Sequence, residues 1–319
     1  MHTSMLNAPP CRYCTDRVFR SGRSKLLQLD RRTCTVGSSK QHNTVLAAMG
    51  TPVLYTYPLA YNPFKAALIL AEKNIKHTSN YVDLFNGQSL SPEYLAVNPA
   101  GTVPTLKDGD KVIGDSKAIV DYVNGLGGGP LGGSQVDQGM ASRWADRIHK
   151  WDGNLFLAAN GGAGAAKLLG KLTDFKMKYA QARSAQHPEL KDTYSSKIES
   201  MKSADAAGKD AAAVKANETL LVGLLDDAEQ QLARSSFLAG PAYSVADVMF
   251  TPVLFRLGMA NKTGEYLKPR PHVSEYYNRM KERPSFQAAF GPAGSKLTLA
   301  GALVPALLKA QLASVTGWY

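Results

Sequence analysis

The chain predicts an α/β domain of order β-α-β-α-β-β-α followed by an all-helical domain. Between Pro52 and Tyr122, short β-rich runs alternate with segments of helical spacing. From Gln135 onward only helical patterns appear. Between the two lies a glycine-rich stretch, Gly125 to Pro130 with Gly132 and Gly133. It lacks the strand before and the helix after that a phosphate loop needs, so it reads as the boundary. The expected domains are residues 51–127 and 135–290, with a leader over 1–48 and an apolar tail over 291–319.

Val53 to Tyr57 is the first strand. Asn62 is a natural N-cap and Pro63 suits the first helical position, where its missing N–H costs nothing. Ala67, Leu68, Leu70 and Ala71 continue that helix, and Lys73-Asn74 closes it with Asn74 past the end. Lys76 to Asp83 is a second strand and Ser91 to Leu95 a short helix. Thr102 to Leu106 is β-rich. The Asp-Gly turn within Lys107–Asp110 returns the chain antiparallel as Lys111 to Ile113. Gly114-Asp115-Ser116 opens the next helix, with Ser116 as N-cap and Ala118, Ile119, Val120 and Val123 on its apolar face. A proline at a strand head removes a ladder donor, so Val103-Pro104 is a candidate cis bond.

The helical half begins with Met140 to Asn154, striped by Trp144, Ile148 and Trp151. Leu155 to Leu169 is rich in Ala and Gly and does not declare itself. Leu172 to Gln186 is basic and aromatic and ends at His187-Pro188. Its charge is a solvated face or a binding face. Leu190 to Lys202 and Ala212 to Ala233 follow, separated by the low-complexity stretch Ala204 to Ala211. Ser244-x-x-Asp247 is a capping box, with Tyr243 and Val248 spaced for a hydrophobic staple. Arg270-Pro271 and Arg283-Pro284 open two further helices.

Several of these motifs together resemble the glutathione S-transferase family. The segment Tyr57 to Ile75, Y-P-L-A-Y-N-P-F-K-A-A-L-I-L-A-E-K-N-I, is similar to the P-x-S-x-x-x-Q-K-V-R-L-A-L-E-E-K-G-I signature of the plant tetrachlorohydroquinone-dehalogenase-like class. It also resembles the ganglioside-induced differentiation-associated proteins. The resemblance covers residues 51–290 and implies a thioredoxin-like N-terminal domain that binds glutathione as co-substrate. It assigns glutathione to Thr102, Val103 and Pro104 alongside the tripeptide and to Asp115 and Ser116 at its γ-glutamyl end. Helix starts hold carboxylates through free N–H groups and the dipole. The family's thiol-activating Ser falls on Ala60, which has no hydroxyl. Two substitutes remain: the helix start at Asn62, and a phenol from Tyr61 or Tyr57. Packing is the competing role for both tyrosines.

The resemblance implies an enzyme that ionises the glutathione thiol and directs it at a hydrophobic electrophile or a peroxide. The alternative is a glutathione- or hydrophobic-ligand-binding, membrane-associated protein in which Ala60 marks lost catalysis; a ligandin-like carrier fits either. A homodimer is allowed. Dehalogenation needs a cysteine, and all three cysteines, Cys11, Cys14 and Cys34, lie in the leader. The body therefore has no disulfide, no thiolate metal site and no cysteine nucleophile.

The formal charge is +11, of which residues 1–50 carry +6, so nucleic acid is a poor inference from the basic balance. Residues 1–48 are rich in Arg, Ser and Thr, poor in acids and without apolar periodicity. They read as an organellar transit peptide, plastid before mitochondrion, or as a disordered basic tail of a cytosolic protein. The apolar run Leu297 to Val304 is cut by Pro305 and Lys309, below the ~20 residues of a spanning helix. It suits a helix docked on the protein or lying at a membrane surface.

Overall fold

The computed structural model describes residues 50–294 and, beyond them, Pro305, Leu308, Lys309, Gln311, Leu312, Ala313 and Thr316. The expected leader, with its cysteines, and the run Leu297 to Val304 lie outside the described residues.

The N-terminal half is a four-stranded mixed sheet of order β2-β1-β3-β4. β1 (Val53–Thr56) pairs parallel with β2 (Thr78–Tyr81) and antiparallel with β3 (Thr105–Asp108), which pairs antiparallel with β4 (Lys111–Ile113). α1 (Tyr61–Glu72) crosses from β1 to β2, α2 (Pro92–Val97) precedes β3, and α3 (Ser116–Gly125) follows β4. This is the expected order. The second strand is shorter than expected and exposed at all four positions, as an edge strand can be. The third starts at Thr105, because Thr102 to Pro104 form a separate turn with a cis Val103–Pro104 bond.

Two helix starts differ from expectation by one or two residues. α1 starts at Tyr61, with Ala60 as N-cap and no side-chain cap, because a turn bond from Ala60 N–H to the Tyr57 carbonyl (3.1 Å) sets the entry. Asn62 therefore lies inside the first turn and accepts from Lys65 instead. Asp115, not Ser116, caps α3, accepting the Ala118 N–H at 2.8 Å. A carboxylate is the stronger acceptor near a positive helix end, so it takes the cap and leaves Ser116 as the first helical residue. Asn74 has φ 51°, the left-handed closure expected after α1.

The helical half comprises α4 (Gln138–His149), α5 (Gly153–Asn160), α6 (Gly162–Gln186), α7 (Lys191–Lys209), α8 (Ala211–Leu232), α9 (Val245–Met259), α10 (Thr263–Leu267), α11 (Pro271–Lys281) and α12 (Pro284–Phe290). The single helix expected over Met140–Asn154 is interrupted. Asp152 caps a new helix through the Asn154 and Leu155 N–H groups, and Asn217 of α8 bonds both backbone groups of Asp152 (2.9 Å each). The low-complexity stretch is helical: α7 runs through it to Lys209, and Asp210 caps α8. Alanine's helix propensity carries the segment despite its lack of pattern.

One core joins the halves. Phe64 of α1 packs on Phe255 of α9 and Phe290 of α12, at ring-centroid distances of 5.1 and 4.7 Å. Glu72 at the end of α1 holds Arg283 through two bonds (2.8 and 2.6 Å) and also accepts from Ser285. The glycine-rich boundary is gathered by Lys73, whose ammonium donates to the carbonyls of Asn124, Gly127 and Gly129. The α6–α7 pair returns to the sheet domain. Phe175, Tyr179, Ala180 and Tyr194 bury Leu90 and Leu95, and the Tyr194 hydroxyl donates to the Leu90 carbonyl (2.9 Å). Described tail residues dock there too: Ala313 is buried in that cluster, and the Lys309 ammonium donates to the Asn86 carbonyl (2.8 Å). No described helix is long and apolar enough to cross a membrane.

Candidate functional site

Topology alone gathers three features at one sheet edge. α1 starts beyond the C-terminal end of β1. β3 is antiparallel to β1, so its entry lies at that edge, and β4 returns to deliver the start of α3 there. The pairing of Tyr55 with Thr105 places position 57 level with position 103. Ala60, Tyr57 and Val103 accordingly share a small buried cluster with Tyr94 and Val82.

Val103 is held with its backbone outside the ladder, since the first paired residue of β3 is Thr105. The turn that presents it is tied by residues the sequence did not single out. The Asn98 side chain donates to the Thr102 carbonyl (3.0 Å) and to Thr105 Oγ1 (2.8 Å), and accepts from the Ala100 N–H (3.0 Å). The Tyr94 hydroxyl donates to the same Thr102 carbonyl. Gly101, at φ 54°, lies where a Cβ would come within 2.8 Å of the Ser89 carbonyl. Thr102 itself is exposed, and Pro104 is buried. The Asn98-Pro-Ala-Gly turn signal could have pointed to Asn98. An extended peptide lying along Val103 would find one N–H and one C=O to pair with.

At α3 the N–H groups of Ser116 and Lys117 precede the first intrahelical bond, which runs from Ile119 to Asp115. Ser116 is buried, while Asp115 is exposed and stands 3.5 Å from His149 of α4. A carboxylate fits the free N–H groups, and an ammonium fits Asp115, so this corner matches a group carrying both charges.

At α1 the two tyrosines part company. Tyr61 points into the core between the halves. Its ring meets Trp151 edge-on at 5.4 Å, and Gly153 passes so close that a Cβ would lie 2.9 Å from it. Its hydroxyl is buried and has no hydrogen-bond partner among the described residues, and burial pushes its pKa well up. Tyr61 thus has the surroundings of a packing residue, the competing role for it. Tyr57 lies in the cluster with Ala60 and Val103, but its hydroxyl is also buried and unpartnered. What remains at position 60 is the helix start, with unpaired N–H groups at Tyr61 and Asn62. Beneath it lie two buried cations, Lys65 and Arg256. A lone charge inside each of the apolar runs Pro63 to Leu70 and Val253 to Leu257 is the sequence signal that could have marked them.

Among the described residues no group of three His, Cys, Asp or Glu is placed to hold a metal ion. Residues 62–126 match the family model for the glutathione S-transferase N-terminal domain, and residues 211–279 match that for its C-terminal domain. The tetrachloro-p-hydroquinone reductive dehalogenase of Sphingobium chlorophenolicum is 30% identical over 74% of this chain and 94% of its own. The chain belongs to the glutathione S-transferase family. Glutathione S-transferase TCHQD of Arabidopsis thaliana is 28% identical over 75% of this chain and 89% of its own. The solved structure of apo glutathione S-transferase III has a TM-score of 0.51 and 27% identity, over 76% of this chain and 96% of that one. The fold is therefore the glutathione transferase fold, and glutathione is the co-substrate that the family uses.

Proposed function

We propose that this protein is a glutathione transferase whose thiol-activating element is the start of α1 rather than a side-chain hydroxyl. The observation that carries the reading is the convergence of three free backbone features, at Val103, at Ser116 and at Tyr61–Asn62, on one edge of the sheet. Val103 aligns the peptide. The α3 start and Asp115 hold its γ-glutamyl end. The α1 start lowers the thiol pKa through its N–H groups and dipole. Bound glutathione supplies a thiolate that attacks an electrophilic centre, forming the C–S bond as the leaving group departs with its electron pair. The co-reactant is a hydrophobic electrophile.

Ala60 favours a second reading, a glutathione binder without turnover. The Ala60→Ser variant separates the two. A helix start is worth ~1–2 kcal/mol to an anion, and a charge-assisted hydrogen bond from serine adds a similar amount. Wild-type turnover of a generic aryl halide with glutathione is expected to be measurable but slow, and Ala60→Ser to raise it near neutral pH. No turnover by either protein, with glutathione bound, establishes the second reading.

A further inference from the structure

Lys65 and Arg256 are each 1% exposed, yet among the described residues neither is closed by an acid. They flank one ring: the Lys65 ammonium stands 4.5 Å from the Tyr61 centroid and the Arg256 guanidinium 5.3 Å. Nε and one terminal nitrogen of Arg256 have no hydrogen-bond partner among the described residues. Asp115 at the α3 cap and Asp152 at the α5 cap are exposed and reach them only through space. Burial holds the Lys65 ammonium at about 8, with Arg256 adding to the depression, and pulls Arg256 to about 10. Buried charge without a counter-ion is costly, and such groups concentrate where the charge is used.

Lys65 also makes one directed contact, a 3.0 Å bond to Asn62 Oδ1. An ammonium only donates, so the amide oxygen must face it, and the Asn62 NH2 group is left as a donor in the first turn of α1. We propose that Lys65 and Arg256 supply from beneath α1 the positive charge that ionises the bound thiol, and that Lys65 positions the Asn62 amide to donate to the sulfur. This rests on the glutathione reading above. Lys65 is then a positioning residue, acting through Asn62 and through its field.

The test is an ultraviolet thiolate titration of glutathione bound to the full chain, with S-methylglutathione calorimetry as a thiol-free control. Lys65→Met is expected to raise the midpoint by roughly one pH unit, as is Asn62→Ala. Lys65→Arg, which keeps the charge, should remain near wild type. S-methylglutathione affinity should be unchanged throughout. Midpoints that stay at the wild-type value in Lys65→Met and Asn62→Ala overturn the proposal. Asn62→Ala, at a half-exposed position, tests the proposal independently of any repacking around residue 65. Failure of wild type to bind S-methylglutathione refutes the glutathione reading itself, and this inference with it.

Discussion

Asp247→Asn is expected to destabilise the protein by about 2–3 kcal/mol, the cost of replacing charge-assisted hydrogen bonds by a buried clash of donor against donor. Asp247 is fully buried at the start of α9 and accepts four hydrogen bonds. Two come from backbone N–H groups, of Leu238 (3.2 Å) and Ser244 (2.9 Å), and two from the hydroxyls of Ser244 (2.8 Å) and Tyr276 (2.9 Å). All four partners face it as donors. Asparagine keeps the shape but offers two donors of its own, so one side of the amide meets N–H with N–H whichever way it turns. The hydroxyls can rotate, but the backbone N–H groups cannot. The capping box alone would account for only ~1 kcal/mol. The rest comes from the tie between the 235–240 turn, α9 and α11. Denaturant midpoints for wild type and variant measure it, and a loss below ~1 kcal/mol would mean that the network adds nothing beyond the cap.

The second large effect has the opposite sign. Lys65→Met is expected to stabilise the fold near neutral pH by about 2–3 kcal/mol. An ammonium moved from 10.5 to about 8 by burial penalises its charged form by ~1.4 kcal/mol per unit, and methionine fills similar volume without charge. Below pH 8 both folded and unfolded states hold the proton, so wild type bears the full cost. Between about 8 and 10.5 the unfolded state holds the proton while the folded state has released it, so wild-type stability rises with pH. The advantage of the variant should therefore shrink across that window and vanish above it. Unfolding free energies from pH 7 to 10.5 check this. A variant less stable than wild type at pH 7, or an advantage independent of pH, contradicts it. The gain in stability should accompany a weaker thiolate, the trade-off that marks a site kept for chemistry.

What the sequence disclosed was mostly local. The Ser244–Asp247 box, the left-handed Asn74, the cis Val103–Pro104 bond and the β3–β4 return all depend on a few adjacent residues, and all are present. The N-caps slipped because two adjacent residues could each fill the role: Asp115 outcompeted Ser116, and a turn at Tyr57–Ala60 pre-empted Asn62. The helix expected over Leu190–Lys202 is present as α7, but its extension to Lys209 lay in an alanine-rich run with no stripe to reveal it. The fate of Tyr61 could not be read, because its surroundings, Trp151, Gly153 and Arg256, come from the other half of the chain. Lys65 and Arg256 carry a local signal, a lone charge in an apolar run, but it takes the tertiary packing to show that they are buried and unpaired by acids among the described residues. Asn98 and Tyr94 stand between these extremes, near Val103 in sequence but recognisable as its support only once the turn is folded.

Calorimetric titration of glutathione into the wild-type chain and Ser116→Ala tests the central claim most directly. Ser116 opens α3 with an unpaired N–H and a buried side chain, at the corner to which the proposed function assigns the γ-glutamyl end. Removing its hydroxyl should weaken binding by about 1–3 kcal/mol, the cost of leaving a charged partner unsatisfied, which is roughly 5- to 150-fold in Kd. Measurable wild-type binding with that loss is the predicted result. Equal affinity for the two proteins, or no binding to wild type, would contradict the assignment of this edge of the sheet to glutathione.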